Sequence, residues 1–327
     1  MLISLQILLL IVGFVCLIKG ADLFVDGASA LARIFRVSGV VIGLTVAALG
    51  TSAPELAVST SAALQEANEI ALSNVLGSNA FNLLVVLGIC AAIKPLPVEK
   101  SILKRDYPLS VVITLVLMLL SCFPAISGKI FLTSDMAAYA GDVTRITGLI
   151  LCAAFVLYII WIVVDAKKHP VPEEPDAKRF PLWKCILLIV LGLVLIIIGG
   201  QAVVYSAKAL AEAFGMTQTL IGLTVVALGT SLPELVTSIV AARKGETGLA
   251  VGNVVGSNIF NLLFILGVSS SIHHVAVNMA SLYDMAILIV SSIITYVFCL
   301  SGKKINRIEG IIMVMIYAGF MSFAAVR

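Results

Sequence analysis

The sequence predicts an all-α integral membrane protein, with about ten transmembrane helices arranged as two inverted five-helix repeats. Three observations carry that prediction. The 327-residue chain is 61% hydrophobic and 12% charged, about half the charge of a soluble domain. Its apolar runs recur along the whole length, and many exceed the roughly 18 residues that cross a bilayer. A 16-residue segment starting at position 42 returns almost unchanged 179 residues later. Lipid offers a backbone no hydrogen bonds, so only helices and closed barrels span it. Unbroken apolar runs without alternation exclude a barrel.

The runs place spans near 3–31, 39–64, 70–92, 107–124, 146–165, 182–211, 218–241, 247–270, 281–300 and 307–325. The first run has no basic segment before it and no small-residue cleavage site after it, and Lys19 follows its apolar core. It is therefore expected to be a span, not a secretory signal. The least defined stretches are the end near Cys122 and residues 125–145. One polar linker, Asp165 to Lys184, contains KKHPVPEEPDAKR and divides the chain. Residues 1–165 form the first repeat, 166–181 a connection outside the membrane, and 182–327 the second repeat.

Basic residues orient the spans. The odd-numbered connections hold sixteen lysines and arginines, from Arg33 to Arg307. The even connections and both termini hold four: Lys129, Arg145, Lys208 and Arg327. The expected topology has the odd connections, including 166–181, in the cytoplasm and both termini outside. The net charge of +3 is no nucleic-acid signal.

The repeat decides the architecture. IGLTVAALGTSAPELA (42–57) and IGLTVVALGTSLPELV (221–236) agree at thirteen of sixteen positions. At the same offset, ALSNVLGSNAFNLLVVLG (71–88) and AVGNVVGSNIFNLLFILG (250–267) agree at twelve of eighteen. A fainter echo pairs Arg145-Ile-Thr-Gly148 with Arg307-Ile-Glu-Gly310. Five spans separate the copies. Five is odd, so the second copy enters the membrane upside down, an arrangement that lets a transporter face either side by exchanging the conformations of its halves.

Each copy places a glutamate mid-span, Glu55 and Glu234, and no lysine or arginine lies at comparable depth in spans 2, 3, 7 or 8. An ionised carboxylate there needs a partner, and a bound cation is the natural one; protonated glutamates joining helices are the alternative. Each glutamate closes a G-T-S-x-P-E turn: Gly50, Thr51, Ser52, Pro54 and Glu55, then Gly229, Thr230, Ser231, Pro233 and Glu234. Proline lacks a donor, so carbonyls at Gly50 and Ala48, and at Gly229 and Ala227, are expected to turn toward an ion. In the second motif Ser78 and Asn82, like Ser257 and Asn261, stand four apart on one helix face. Asn74, Asn79, Asn253 and Asn258 fit interhelical hydrogen bonding as well as ligation. Gly77 and Gly256 are expected to allow close packing. An all-oxygen set suits calcium, sodium, magnesium or manganese. The six cysteines fall in or beside apolar runs without metal spacing, and His169, His273 and His274 fall in connections. Asp22 and Asp26 correspond to Gln201 and Tyr205 in the other copy, so they are expected near an interface or vestibule, with Lys19 in helical reach of Asp22.

These duplicated GTS-x-PE and GSN-x-FN motifs resemble the alpha repeats of the calcium/cation antiporter superfamily, above all its compact prokaryotic sodium/calcium exchangers. The resemblance spans the whole chain. It implies an alternating-access antiporter for calcium and sodium, with no cofactor, no large regulatory domain and no obligate protein partner. By matching positions, it implies that Glu55 and Glu234 serve both ions and that Thr51 and Thr230 contribute backbone oxygen. Ser52, Ser231, Ser78 and Ser257, with the carbonyls of Ala48 and Ala227, would hold sodium; Asn82 and Asn261 would complete the centre. Some members carry aspartate at the position of Asn261, so two carboxylates stand here where others have three. A calcium/proton exchanger would share the glutamates. A channel usually builds its pore on an oligomer axis. An intramembrane protease would need a histidine in a span or paired aspartates from different helices, which the chain lacks.

Overall fold

The computed structural model describes residues 3–123, 135–172, 180–216 and 227–326. The first half runs through α1 (Ile3–Phe35), the bent pair α2 (Gly39–Thr51) and α3 (Ala53–Leu64), and α4 (Glu69–Ile93). There follow β1 (Leu96–Pro97), α5 (Tyr107–Ser121), β2 (Tyr139–Val143) and α6 (Arg145–Lys168). The second half holds α7 (Leu182–Ala213), α8 (Ala227–Gly229), α9 (Leu232–Lys244), α10 (Thr247–Ile272), β3 (Val275–Asn278), α11 (Met279–Gly302), β4 (Lys304–Ile305) and α12 (Arg307–Val326).

Among the described residues seven helices are long and apolar enough to cross a membrane, or eight if the bent pair α2–α3 counts as one span. The expected span 107–124 is seen as the 15-residue α5, entered through a wide helical turn at Ile102–Asp106. The expected span 218–241 lies partly outside the described residues; its visible part is α8 and α9. The linker's centre, 173–179, and most of 125–145 also lie outside them.

The longest helices, α1 and α7, are antiparallel and touch along their length. Glycines at seven-residue spacing make this possible. A Cβ on Gly20 would sit 2.8 Å from the Gly192 carbonyl oxygen, and one on Gly199 2.8 Å from that of Gly13. With no side chain between them the backbones meet, as small residues allow in membrane helices. The opposite faces of both helices carry exposed Leu8, Ile11, Val15, Ile186, Val190 and Ile198, as lipid-facing surfaces should.

The motif helices form the centre. α2 packs across the halves onto α10, where a Cβ on Gly43 would lie 2.7 Å from the Leu249 oxygen and one on Gly256 2.6 Å from the Leu44 Cα. A Cβ on Gly77 meets nothing among the described residues. Two antiparallel ribbons also join the halves, β1 with β4 and β2 with β3. The faint Arg145/Arg307 echo follows β2 and β4 respectively, so it marks the same ribbon-to-helix junction in each half.

Candidate functional site

The two G-T-S-x-P-E turns adopt one local structure. Ser52 (φ −86°, ψ 12°) and Ser231 (φ −93°, ψ 7°) leave the helical region, and α3 departs from α2 at 49°. Proline takes the second position of α3 and of α9, where its missing N–H costs nothing. The turn aims each glutamate inward: Glu55 and Glu234 are fully buried. Pro54 removes the donor that the Gly50 carbonyl would meet one turn on. Ala48 differs from expectation: its carbonyl keeps a helical bond from the Ser52 N–H at 3.1 Å, because the chain bends at Ser52 and not before it. Ala227 begins α8.

The serines reach across the halves. Ser52 Oγ donates to Glu234 Oε1 at 2.7 Å, and Ser231 Oγ donates to Glu55 Oε1 at 2.9 Å. Each carboxylate is thus held by the other copy's turn, and neither meets a lysine or arginine among the described residues. Among the described residues the second oxygens, Glu55 Oε2 and Glu234 Oε2, have no hydrogen-bond partner. Nor do Ser78 Oγ, Ser257 Oγ, Asn82 Oδ1 and Asn261 Oδ1. Buried polar atoms are nearly always paired, so this set asks for an occupant. The orphans are nearly all oxygens, two of them from carboxyl groups, which is the donor set of a hard cation.

Asn82 and Asn261 open wide helical turns, Asn82–Val86 and Asn261–Ile265; such turns recur at functional sites. Thr51 is committed elsewhere, its hydroxyl lying 3.0 Å from the Ala47 oxygen and 3.2 Å from Asn253 Oδ1.

The remaining asparagines resolve toward structure. Asn74 Nδ2 donates to Ser59 Oγ at 2.9 Å, and Asn253 Nδ2 donates to Ser238 Oγ at 3.1 Å. Asn79 and Asn258 clasp each other: Asn79 Nδ2 reaches the Asn258 carbonyl at 3.2 Å, and Asn258 Nδ2 the Asn79 carbonyl at 3.3 Å. Ser59 and Ser238 escaped the sequence reading, although both stand at the repeat offset. Asp22 and Asp26 lie away from the centre, paired with Lys244, whose Nζ is 3.3 Å from Asp22 Oδ1 and 2.7 Å from Asp26 Oδ1. Lys244, not Lys19, is the basic partner placed beside them.

A family model for sodium/calcium exchanger proteins matches residues 5–164 and 184–326. The chain belongs to the sodium/calcium exchanger family. Within that exchanger family it is 38% identical to the putative antiporter CaxA of Alkalimonas amylolytica, over 95% of each chain. It is 32% identical to the sodium/calcium exchanger MaX1 of Methanosarcina acetivorans, over 98% of each. A structure of the sodium-calcium exchanger NCX_Mj, soaked with 10 mM Na+ and no Ca2+, superposes with a TM-score of 0.82 at 31% identity, covering all of both chains. Membership makes this chain a multi-pass membrane cation exchanger, in a family of transporters and not of catalytic enzymes.

Proposed function

We propose that the chain is a secondary active antiporter that exchanges calcium for sodium by alternating access, binding both ions between Glu55 and Glu234. The observation that carries this reading is two buried carboxylates that the opposite halves hold for each other, each with one oxygen unpartnered among the described residues. Glu55, Glu234, Ser52, Ser231, Ser78, Ser257, Asn82 and Asn261 supply side-chain oxygens; Thr51, Thr230 and Ala227 supply backbone oxygens, and Ala48 the second lone pair of a carbonyl that also accepts from Ser52. The two carboxylates carry −2. One calcium ion or two sodium ions neutralise that charge, and a third sodium would leave the site positive, so exchange beyond two-for-one would move net charge across the membrane.

Ten spans in two inverted repeats, 1–165 and 182–327 joined by the connection 166–181, account for the contacts outside the helices. Bonds between connections join like with like. Arg33 of the first pairs with Glu246 of the seventh, Arg105 of the third with Asp165 of the fifth, and β1 of the third with β4 of the ninth. On the other side β2 of the fourth meets β3 of the eighth. The first group carries the basic excess, which supports a cytoplasmic face there and both termini outside.

Alternating access draws support from a break in symmetry. α1 packs along α9, whereas α7 makes no comparable contact with α3. Val58 on α3 is consequently 39% exposed while its repeat mate Thr237 on α9 is fully buried. Near-identical sequences thus hold two conformations in one molecule, as exchange of conformations between halves requires.

The test is calcium flux into proteoliposomes under an outward sodium gradient, a proton gradient or neither. Uptake should follow the sodium gradient. Uptake that ignores sodium and follows pH would replace this reading with calcium/proton exchange.

A further inference from the structure

The two halves treat equivalent asparagines differently. Asn261 Nδ2 donates to Asn79 Oδ1 at 2.9 Å. By the repeat, Asn82 Nδ2 should donate to Asn258 Oδ1, yet both side-chain heteroatoms of Asn82, and Asn258 Oδ1, lack partners among the described residues. All four residues are buried. The Asn79 amide is itself oriented: its Nδ2 is spent on the Asn258 carbonyl, which leaves only Oδ1 to meet Asn261. An amide has one oxygen and one NH2 group. With the NH2 group of Asn261 held by Asn79, its Oδ1, unpartnered and buried, is the atom left to face a cation.

We propose that Asn79 is a positioning residue that turns the Asn261 oxygen toward the transported ion and tunes the site for a neutral amide at position 261. This rests on the central-site reading above. A carboxylate at 261 would set oxygen against Asn79 Oδ1. Relief would require the Asn79 amide to flip and forfeit its bond to Asn258. The constraint lets the protein keep the site's formal charge at −2 while presenting a third hydrogen-bond-oriented oxygen. It also separates Asn79 from Asn74 and Asn253, whose NH2 groups are spent on Ser59 and the Glu55 carbonyl and on Ser238, not on a second asparagine side chain.

The test measures equilibrium calcium-45 binding to purified protein, alongside sodium-driven uptake, for Asn79→Ala, Asn261→Ala, the double variant and Asn79→Asp. Asn79→Ala should weaken calcium binding about tenfold while maximal uptake stays within about threefold. In the Asn261→Ala background the same change should add nothing, because Asn79 acts through Asn261. Asn79→Asp, which retains the acceptor oxygen for Asn261 but gives up the bond to the Asn258 carbonyl, should recover part of the affinity. A purely structural role would give additive effects in the double variant and no recovery with aspartate, and either result overturns the proposal. So does unchanged affinity in Asn79→Ala. Should Asn79→Ala not fold, Asn79→Asp in the wild-type and Asn261→Ala backgrounds decides the same question. Absence of calcium binding in the wild-type protein would instead overturn the central-site reading itself.

Discussion

Neutralising one central carboxylate while keeping its shape is the sharpest perturbation of the site. Glu55→Gln or Glu234→Gln leaves an oxygen that can still accept from Ser231 or Ser52, so the bonds at 2.9 and 2.7 Å between the halves need not be lost. What changes is the charge seen by the ion. Unit charges about 4 Å apart attract by about 4 kcal/mol at an effective dielectric constant near 20, so a divalent ion loses about 8 kcal/mol of attraction. An amide avoids the desolvation of a buried charge, which offsets several kcal/mol of that. A net loss of about 2–4 kcal/mol remains, equivalent to calcium binding about thirty- to several-hundred-fold weaker. Either variant should therefore abolish measurable sodium-driven calcium uptake in proteoliposomes while still inserting and purifying as a monodisperse protein. The two should be similarly severe, because the turns that present them have the same geometry. Asp22→Asn, which loosens only the exposed pairing with Lys244, should retain most of the exchange. Near-normal calcium flux in either glutamine variant would refute the shared central site.

Ser52→Ala and Ser231→Ala each remove a hydrogen bond to a buried carboxylate, worth about 1.5–3 kcal/mol; the half-saturating sodium concentration should rise roughly tenfold in flux assays. Gly20→Ala forces a methyl to within 2.8 Å of the Gly192 oxygen, and overpacking of this kind costs about 1–3 kcal/mol, so thermal unfolding in detergent should shift several degrees downward. Glu66 holds a left-handed φ of 59° where its repeat mate is Gly245 at 88°; Glu66→Gly should raise Tm by about 1–2 °C, since relief of backbone strain exceeds the added freedom of the unfolded chain. Reporters fused within 168–178 and at the C-terminus should report opposite sides of the membrane, cytoplasm and exterior; the same side for both would break the inverted arrangement.

Much of the site could be read before any coordinates. A mid-span glutamate is costly, and two at one offset, each behind a proline, make a cation the natural partner to propose. The burial of Glu55 and Glu234, the paired bends at Ser52 and Ser231, and the unpartnered oxygens of Ser78, Ser257, Asn82 and Asn261 all lie where the duplicated motifs put them. The membrane class was equally legible, because hydropathy is a property of composition over some twenty residues and needs no partner.

The tertiary arrangement supplied everything that depends on distance through space. Helical spacing suggested Lys19 for Asp22, since sequence exposes only neighbours three or four residues away; the fold brings Lys244 from the far half instead. Whether each serine serves its own glutamate or the other copy's is invisible in two nearly identical turns, and the structure crosses them, Ser52 to Glu234 and Ser231 to Glu55. The same holds for Asn79, which sequence left between ligand and helix glue and which turns out to hold Asn261. The physical reason is the repeat itself. Duplicated segments present identical local chemistry, so pattern alone assigns the parts but not their pairing. Pairing is set by how α2 and α10 pack backbone to backbone across the halves, at glycines whose meaning appears only when the other helix is in place.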